Sequence, residues 1–265
     1  MPLSAGFVEI RASDPVNWER RPQLTCVICT FPRTGSSLLS YSLKDSGLAG
    51  RPEEYFGPTD EARFARDWAL PAHYSLRSYL KSIANETMTE NGVLAVKLFM
   101  PHLSHLLRRA QAEFGPGLSD NELMETCFPN PRYIFLRRND LVRQAVSFMR
   151  AINTFQFESG HPQVGGGTVP EALLNPDLAK ITAYVDTFRR QEREWREFFE
   201  QNQISAHEIV YEDLAADYEP TVLATLGALG VVPPAGLVLP PPRLVRQSDE
   251  VTDQIAARYE EYQSR

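Results

Sequence analysis

Four short runs of apolar residues, each about the length of a β-strand, are spaced along the chain. They occupy residues 24–31, 92–99, 132–138 and 206–214. Each run is almost continuously apolar rather than alternating, which is typical of strands that are buried on both faces of a sheet. The pattern therefore predicts four central strands that other elements cover on both sides.

Amphipathic stretches with helical periodicity separate these runs. They predict helices over residues 35–46, 102–114, 139–152, 176–200 and 220–229, and a short helix near the C-terminus. Strands that alternate with helices favour a parallel sheet, because each parallel connection needs a crossover of this length. The predicted fold class is therefore α/β, with a central parallel sheet flanked by helices.

Two segments rich in Pro and Gly interrupt this pattern. Residues 161–176 are interpreted as a long loop or lid, and residues 231–243 as an extended connector. Loops of such length are usually functional. The 265 residues lie within the size range of one α/β unit, so we predict a single domain over residues 1–265.

Composition and charge narrow the class of protein. Apolar residues make up 43% of the chain and charged residues 23%, as in an ordinary folded protein. The net charge of −7 argues against a broad nucleic-acid or membrane surface, so any anion site must be local. A membrane span needs about 18 consecutive apolar residues, and no stretch of the chain approaches this length. We expect a cytoplasmic protein with no nucleic-acid partner and no membrane span.

The cysteines and histidines predict neither a disulfide framework nor a metal site. Cys26 and Cys29 form a CxxC pair, but they lie in a predicted strand, where side chains three apart point to opposite faces. Two ordinary core cysteines are therefore expected. The five histidines are scattered, and no spacing of His, Cys or Asp matches a metal site, so no metal is expected.

The stretch FPRTGSSLL, residues 31–39, joins the first predicted strand to the first helix. In such a turn, free backbone N–H groups and the positive end of the helix dipole favour an anion. A glycine allows close approach, hydroxyls donate hydrogen bonds and an arginine supplies a planar cation. The candidate ligands are Arg33, Thr34, Gly35, Ser36 and Ser37. The cation precedes the glycine, which excludes a Walker A loop. The alternative to an anion site is a turn in which the hydroxyls only cap the helix.

A second strand, basic turn and helix follows in RYIFLRRNDLVRQAVSFMR, residues 132–150. Arg138 near the strand end and Ser147 on the helix can hold one phosphate between them. Arg137 is a competing choice for the arginine. The alternative interpretation is that these arginines are solvated charges at the start of a helix.

These two stretches resemble the nucleotide-binding loops of the sulfotransferases that use 3′-phosphoadenosine 5′-phosphosulfate (PAPS). FPRTGSSLL is similar to the 5′-phosphosulfate loop, and the second stretch is similar to the 3′-phosphate motif. The arginine at position 33 and the wide spacing from Arg138 to Ser147 are most like the bacterial carbohydrate group of the mycobacterial trehalose 2-sulfotransferase type. The resemblance implies a P-loop-like sulfotransferase fold in which the two loops bind PAPS.

Two later stretches extend the resemblance. IVYEDLAADYEPTVLATLGALGV, residues 209–231, is similar to a family strand that ends in YEDL and precedes a helix, which marks the fold more than the site. RLVRQSDE, residues 243–250, lies where the family has a basic segment, which implies Arg246 as a 3′-phosphate ligand; a surface arginine is the alternative. The resemblance covers residues 24–258 and leaves residues 1–23 as an N-terminal extension.

Sulfuryl transfer also needs a base that takes the proton of the acceptor hydroxyl. GLAGRPEEYF, residues 47–56, is similar to the stretch that carries the general base in the trehalose sulfotransferase group. The resemblance implies this role for Glu54, with Glu53 as a competitor and a surface carboxylate as the alternative. Lys97, on the second predicted strand, is interpreted as a substrate contact or a stabiliser of the leaving oxygen.

The resemblance implies that the acceptor is a small molecule that contains a sugar, and that one of its hydroxyl groups receives the sulfuryl group. Arg51 stands where relatives often carry an acidic residue, and Phe148 and Met149 stand where they have an aromatic pair. These departures leave a carbohydrate, a glycolipid and a related small molecule open as acceptors. By analogy with the family we expect a homodimer.

The predicted activity is transfer of the sulfuryl group from PAPS to an acceptor hydroxyl, which leaves adenosine 3′,5′-bisphosphate. One alternative is a small-molecule kinase or another nucleotide phosphotransferase, which would need a Mg²⁺ carboxylate and a P-loop lysine that the sequence does not supply. A nucleotide-binding module without catalytic activity is the other alternative.

Overall fold

A four-stranded parallel sheet forms the centre of the molecule. A computed structural model describes residues 14–154, 176–242 and 250–264. The strands are β1 Leu24–Cys29, β2 Val93–Leu98, β3 Pro131–Arg137 and β4 His207–Val210. They lie in the order β2-β1-β3-β4, and all three pairings are parallel. The α/β class predicted from the apolar runs is confirmed.

The order of the strands brings the candidate site residues to one edge of the sheet. β1 lies between β2 and β3, so that Ile28 pairs with Lys97 on one side and with Ile134 on the other. In a parallel sheet, the connections that follow the strands all begin at the same edge. The loops after β1 and β3 and the end of β2 are therefore neighbours.

Helices flank this sheet. The described residues form α1 Ser36–Ser46, α2 Pro58–Asp67, α3 Leu76–Thr87, α4 Met100–Phe114, α5 Asp120–Cys127, α6 Leu141–Thr154, α7 Leu178–Gln201, α8 Tyr211–Ala216, α9 Tyr218–Ala228 and α10 Glu250–Gln263. The predicted helices correspond to α1, α4, α6, α7 and α9, each to within two residues at either end, and α10 is the expected C-terminal helix.

Helix α2 is absent from the sequence prediction because its buried face is not apolar. It begins with Pro58 and has acidic residues in its first turn, which are good signals for a helix start. However, its buried residues are Glu61 and Ala65. A search for apolar periodicity therefore finds little in this segment.

Helices α3 and α5 were also not predicted, although their sequences contain recognisable signals. The buried face of α3 includes Leu76, Tyr79, Leu80 and Ile83, which follow helical spacing. Helix α5 begins with a capping box, in which Ser119 and Glu122 bond each other's backbone N–H groups. Both helices could therefore have been predicted from the sequence alone.

The fourth strand is shorter than the apolar run that predicts it. The prediction extended it over residues 206–214, whereas β4 ends at Val210 and helix α8 begins at Tyr211. Glu212 and Asp213 lie in the first turn of α8, where carboxylates interact favourably with the helix dipole. The prediction of strand for YEDL was therefore wrong.

Apolar side chains cover both faces of the sheet. Cys29 lies in the layer that contains Trp195 of α7, and Cys26 lies in the opposite layer with Leu39 of α1. Both cysteines are buried and free, as expected for core residues on opposite faces. Burial raises the pKa of the Cys26 thiol to about 12, so it remains protonated at neutral pH.

Two buried hydrogen bonds fix the end of β1. The indole Nε1 of Trp195 donates to the carbonyl of Thr30 over 2.9 Å, which attaches α7 to the residue after β1. The hydroxyl of Thr30 donates to the carbonyl of Leu136 in β3 over 2.8 Å. Because buried polar groups are costly to leave unpaired, these bonds hold the start of the β1–α1 loop against both neighbours.

Two glycines offer a matched test of how closely the β1–α1 loop packs. Gly35 and Gly47 both have positive φ angles, of 79° and 70°. An added Cβ at Gly35 would lie 2.5 Å from the Tyr211 ring, whereas at Gly47 no described heavy atom lies within 4 Å. We expect Gly35→Ala to lower the free energy of unfolding by about 2–4 kcal/mol and Gly47→Ala by about 1 kcal/mol.

Urea denaturation of the two variants measures this difference. Equal losses at the two positions would show that the Tyr211 ring moves aside without cost.

Candidate active site

The loop after β1 turns sharply before α1 begins. Arg33 and Gly35 have φ angles of 66° and 79°, in the left-handed region. This region is unfavourable for an arginine, and such strain is concentrated at functional sites. Gly35 is the N-cap of α1, with Ser36 and Ser37 in the first turn, where backbone N–H groups have no partners within the helix.

The side chain of Thr34 faces the interior of the protein. It is fully buried, and its hydroxyl lies 2.7 Å from the hydroxyl of Thr30 and 3.0 Å from the carbonyl of Phe31. The hydroxyl that the sequence offers as an anion ligand is thus engaged within the loop. Ser36 is buried as well, whereas Ser37 is half-buried. An anion at this loop would meet the backbone of Thr34 rather than its side chain.

Arg33 connects the two basic stretches of the sequence. Its Nε donates to the hydroxyl of Ser147 in α6 over 2.9 Å, although the two residues are 114 positions apart. The first stretch contributes Arg33 and the second contributes Ser147. The structure therefore brings the two predicted loops into direct contact.

Arg138 lies beside the same loop with its side chain 8% exposed. Its Nη1 donates to the carbonyl of Arg33 over 3.4 Å, and its Cζ lies 4.5 Å from the centre of the Tyr211 ring. Glu212 Oε1 is 3.6 Å from Nε. A buried cation needs such compensation, which here comes from a carboxylate, a carbonyl and an aromatic face.

The neighbouring Arg137 points away from this loop. It bonds the carboxylate of Glu208 in β4 and the side chain of Asn139, and Glu192 Oε1 of α7 lies 3.9 Å from its Nε. Burial alone would raise the pKa of Glu208, but hydrogen bonds from Arg137 and Arg196 outweigh it and lower the pKa. Of the two arginines, Arg138 is the one beside the β1–α1 loop.

A second charged pair lies at the end of β2. Lys97 Nζ is 3.0 Å from Glu54 Oε1, and the two side chains are 5% and 30% exposed. The backbone N–H of Lys97 donates to the carbonyl of Glu53 over 3.0 Å, so the segment that carries Glu54 runs along the outer edge of β2. This pairing holds one oxygen of Glu54 against a cation, while the side chain remains partly exposed to solvent.

A neutral histidine supports the segment that carries Glu54. His102 Nδ1 accepts the backbone N–H of Phe99 at the start of α4, which leaves the proton on Nε2. Burial lowers the pKa of His102, although the charge of Glu54 acts in the opposite direction. A Cβ on Gly57 would lie 3.3 Å from Nε2, so the turn from Glu54 to Gly57 packs directly against the imidazole.

Glu61, which is not among the predicted site residues, forms a buried network next to this turn. Its carboxylate pairs with Arg109, lies 3.0 Å from His105 Nε2 and accepts the hydroxyl of Tyr74 over 2.9 Å. The network ties α2 to α4. It therefore fixes the helix that directly follows the Glu54 turn.

Two of the sequence predictions concern residues that the structure does not describe. Arg246 and residues 161–175 lie outside the described residues.

Within the described parts of the chain, no group of three or more His, Cys, Asp and Glu residues is placed to hold a metal ion. The helices among them include none with the length and apolarity that a membrane crossing requires.

Tyr211 and Glu212 also lie beside these candidate residues, although the resemblance implies only a fold marker for YEDL. Both contact Arg138, and Tyr211 also packs over Gly35. The signal that identifies them is their position directly after β4, at the same edge of the sheet as the other site residues.

Two solved structures are similar to the chain at low identity. The sulfotransferase domain from the Synechococcus PCC 7002 olefin synthase aligns with a TM-score of 0.46 and 16% identity, over 92% of this chain and 98% of that one. A sulfotransferase from Alicyclobacillus acidocaldarius aligns with a TM-score of 0.43 and 16% identity, over 91% and 92% of the two chains.

Two proteins described as trehalose 2-sulfotransferase are similar in sequence over most of their length. The protein from Mycobacterium tuberculosis (strain ATCC 35801 / TMC 107 / Erdman) is 28% identical over 263 residues, which cover 90% of this chain and 94% of the relative. The protein from Mycolicibacterium smegmatis (strain ATCC 700084 / mc(2)155) is 28% identical over 260 residues, which cover 88% and 93%.

The family model of Stf0 sulphotransferase matches residues 25–262. This match spans β2, β3, β4 and all of β1 except Leu24, together with every candidate site residue described above. The resemblance to sulfotransferases that the two basic stretches indicate is confirmed. The chain therefore belongs to the Stf0 sulphotransferase family and is a transferase of the sulfotransferase class.

Proposed function

We propose that this enzyme transfers the sulfuryl group of PAPS to a hydroxyl group of a carbohydrate. The observation that carries the proposal is the meeting of Arg33, Ser147 and Arg138 at the carboxyl edge of the sheet, with the Glu54–Lys97 pair at the end of the adjacent strand β2. The names of both mycobacterial relatives specify trehalose, which supports a sugar as the acceptor.

The two arginines suit the two charged ends of the donor. PAPS has a phosphosulfate at its 5′ position and a phosphate at its 3′ position, so it requires two cationic sites within one cleft. In this proposal Arg33 and the first N–H groups of α1 bind the 5′ group. Arg138 and Ser147 bind the 3′-phosphate, because a guanidinium fork and a hydroxyl match phosphate oxygens.

The serines and Thr34 contribute to different degrees. Ser37 is half-buried and offers its hydroxyl, while Ser36 and Thr34 contribute their backbone N–H groups. Arg246 remains a proposed further ligand of the 3′-phosphate. When PAPS is bound, it supplies the sulfuryl group and the phosphate that leaves.

Glu54 is the proposed general base. The acceptor oxygen forms a bond to sulfur as the bond between sulfur and the phosphate oxygen breaks, and Glu54 takes the hydroxyl proton. Lys97, 3.0 Å from one carboxylate oxygen, orients Glu54 and balances its charge. Arg33 then stabilises the negative charge that develops on the leaving phosphate.

The acceptor and the donor can be tested together. Purified protein is incubated with sulfur-35-labelled PAPS and a panel that contains trehalose, other sugars and a glycolipid. We expect label to enter a sugar as a sulfate ester, with release of adenosine 3′,5′-bisphosphate. Parallel incubation with γ-phosphorus-32 ATP and Mg²⁺ should label none of these acceptors. Binding of adenosine 3′,5′-bisphosphate without transfer to any acceptor would contradict the proposal.

The role of Glu54 is tested by the neutral variant Glu54→Gln. It should lower kcat by about 100-fold to 10,000-fold, because it removes a general base. Its affinity for adenosine 3′,5′-bisphosphate should remain unchanged, as measured by isothermal titration calorimetry. The matched control is Glu53→Gln, which should retain kcat within about twofold. Undiminished activity of Glu54→Gln would exclude it as the base.

The choice between the adjacent arginines is tested by Arg138→Ala and Arg137→Ala. Arg138→Ala should weaken binding of adenosine 3′,5′-bisphosphate by about tenfold or more, since it removes charge-assisted hydrogen bonds to a phosphate. Arg137→Ala removes contacts to Glu208 and should change this affinity by less than about twofold. A larger loss of affinity in Arg137→Ala than in Arg138→Ala would show that Arg137, rather than Arg138, binds the phosphate.

A further inference from the structure

We propose that Glu212 is a positioning residue, which holds the guanidinium of Arg138 ready for the 3′-phosphate of the donor. The inference rests on the proposed function, in which Arg138 is the ligand of that phosphate. Glu212 itself does not need to touch the nucleotide, because it acts through Arg138.

One carboxylate contacts three consecutive residues where β3 passes into α6. Glu212 Oε2 accepts the backbone N–H of Asn139 over 3.1 Å, and Oε1 accepts that of Asp140 over 3.2 Å. The same Oε1 lies 3.6 Å from Nε of Arg138. Glu212 therefore fixes both the backbone that follows Arg138 and one side of its guanidinium.

Two further contacts of Arg138 restrain the orientation of its guanidinium. Its Cζ lies 4.5 Å from the centre of the ring of Tyr211, the residue before Glu212 in α8. Its Nη1 reaches the carbonyl of Arg33 in the β1–α1 loop. Contacts at Nε with Glu212, at Nη1 with that loop and at Cζ with the Tyr211 ring thus restrain the guanidinium beside the β1–α1 loop.

Holding an arginine in place before a ligand arrives increases affinity. A free arginine side chain has many rotamers, and it loses this freedom when it binds a phosphate. If the protein has already ordered the side chain, that entropic cost is removed from the binding step. Loss of the Glu212 charge should therefore weaken binding specifically of ligands that contain the 3′-phosphate.

The opposite expectation follows if Glu212 acts only as a negative charge near an anion site. In that case its neutralisation would strengthen binding of a phosphate. The two accepted backbone hydrogen bonds favour positioning, because they fix the carboxylate at the strand end rather than leave it directed at the ligand. The two roles predict changes of opposite sign.

The chain offers a closely matched control in Glu208. Glu208 and Glu212 have side chains that are 37% and 36% exposed. Both pair with an arginine at the end of β3, but Glu208 pairs with Arg137, which points away from the site. Glu208→Gln thus removes a carboxylate charge that pairs with Arg137 and Arg196, and no contact of Arg138 described above involves Glu208.

The experiment compares two ligands that differ in the 3′-phosphate. Isothermal titration calorimetry of the full chain measures affinity for adenosine 3′,5′-bisphosphate and for adenosine 5′-monophosphate. We expect Glu212→Gln to weaken the first by about tenfold and the second by less than about twofold. Glu208→Gln should leave both unchanged. In a background of Arg138→Ala, adding Glu212→Gln should have no further effect, because the residue through which it acts is absent.

A kinetic measurement provides a second readout. Glu212→Gln should raise KM for PAPS while kcat is retained, and Glu212→Ala should show the same pattern. Tighter binding of adenosine 3′,5′-bisphosphate by Glu212→Gln, or an equal loss for both ligands, would overturn the inference. If instead the wild-type chain fails to distinguish the two ligands, the assignment of Arg138 in the proposed function fails.

Discussion

The central position of β1, hydrogen-bonded to β2 on one side and to β3 on the other, is the constraint on which the site depends. Parallel pairing fixes the direction of all three strands, so the residues that follow them converge. The hydroxyl of Thr30 reinforces this arrangement by bonding the carbonyl of Leu136 across the strand ends. Charged groups that are far apart in sequence, such as Arg33 and Ser147, can then bond directly.

Charge in this acidic chain is arranged locally rather than spread over a surface. The net charge is −7, yet Arg138 and Lys97 are among the buried residues. Each has a carboxylate beside it, from Glu212 and Glu54 respectively. Because an uncompensated buried cation would be strongly unfavourable, these acids allow the arginine and the lysine to remain within the protein at the edge of the sheet.

The strands could be predicted from sequence because local pattern determines them, and the same pattern indicates Arg33 and Arg138 as candidate site residues. Continuous apolar runs identify buried strands; Arg138 directly follows β3, and Arg33 lies in the loop after β1. The sequence could not decide between Arg137 and Arg138. Neighbouring side chains at the end of a strand point in different directions, and the last residue of a predicted strand is uncertain by at least one position. Glu61 was missed because its burial depends on Arg109 and His105, which are remote in sequence.

The backbone at Arg33 has a consequence for how this enzyme balances stability against activity. Its left-handed conformation would be relaxed by glycine, which adopts it without steric conflict. Glycine at this position would also remove the cation that bonds Ser147. Under the proposed function, the substitution that relaxes this backbone would also remove a ligand of the donor, so backbone strain and donor binding oppose each other at this position.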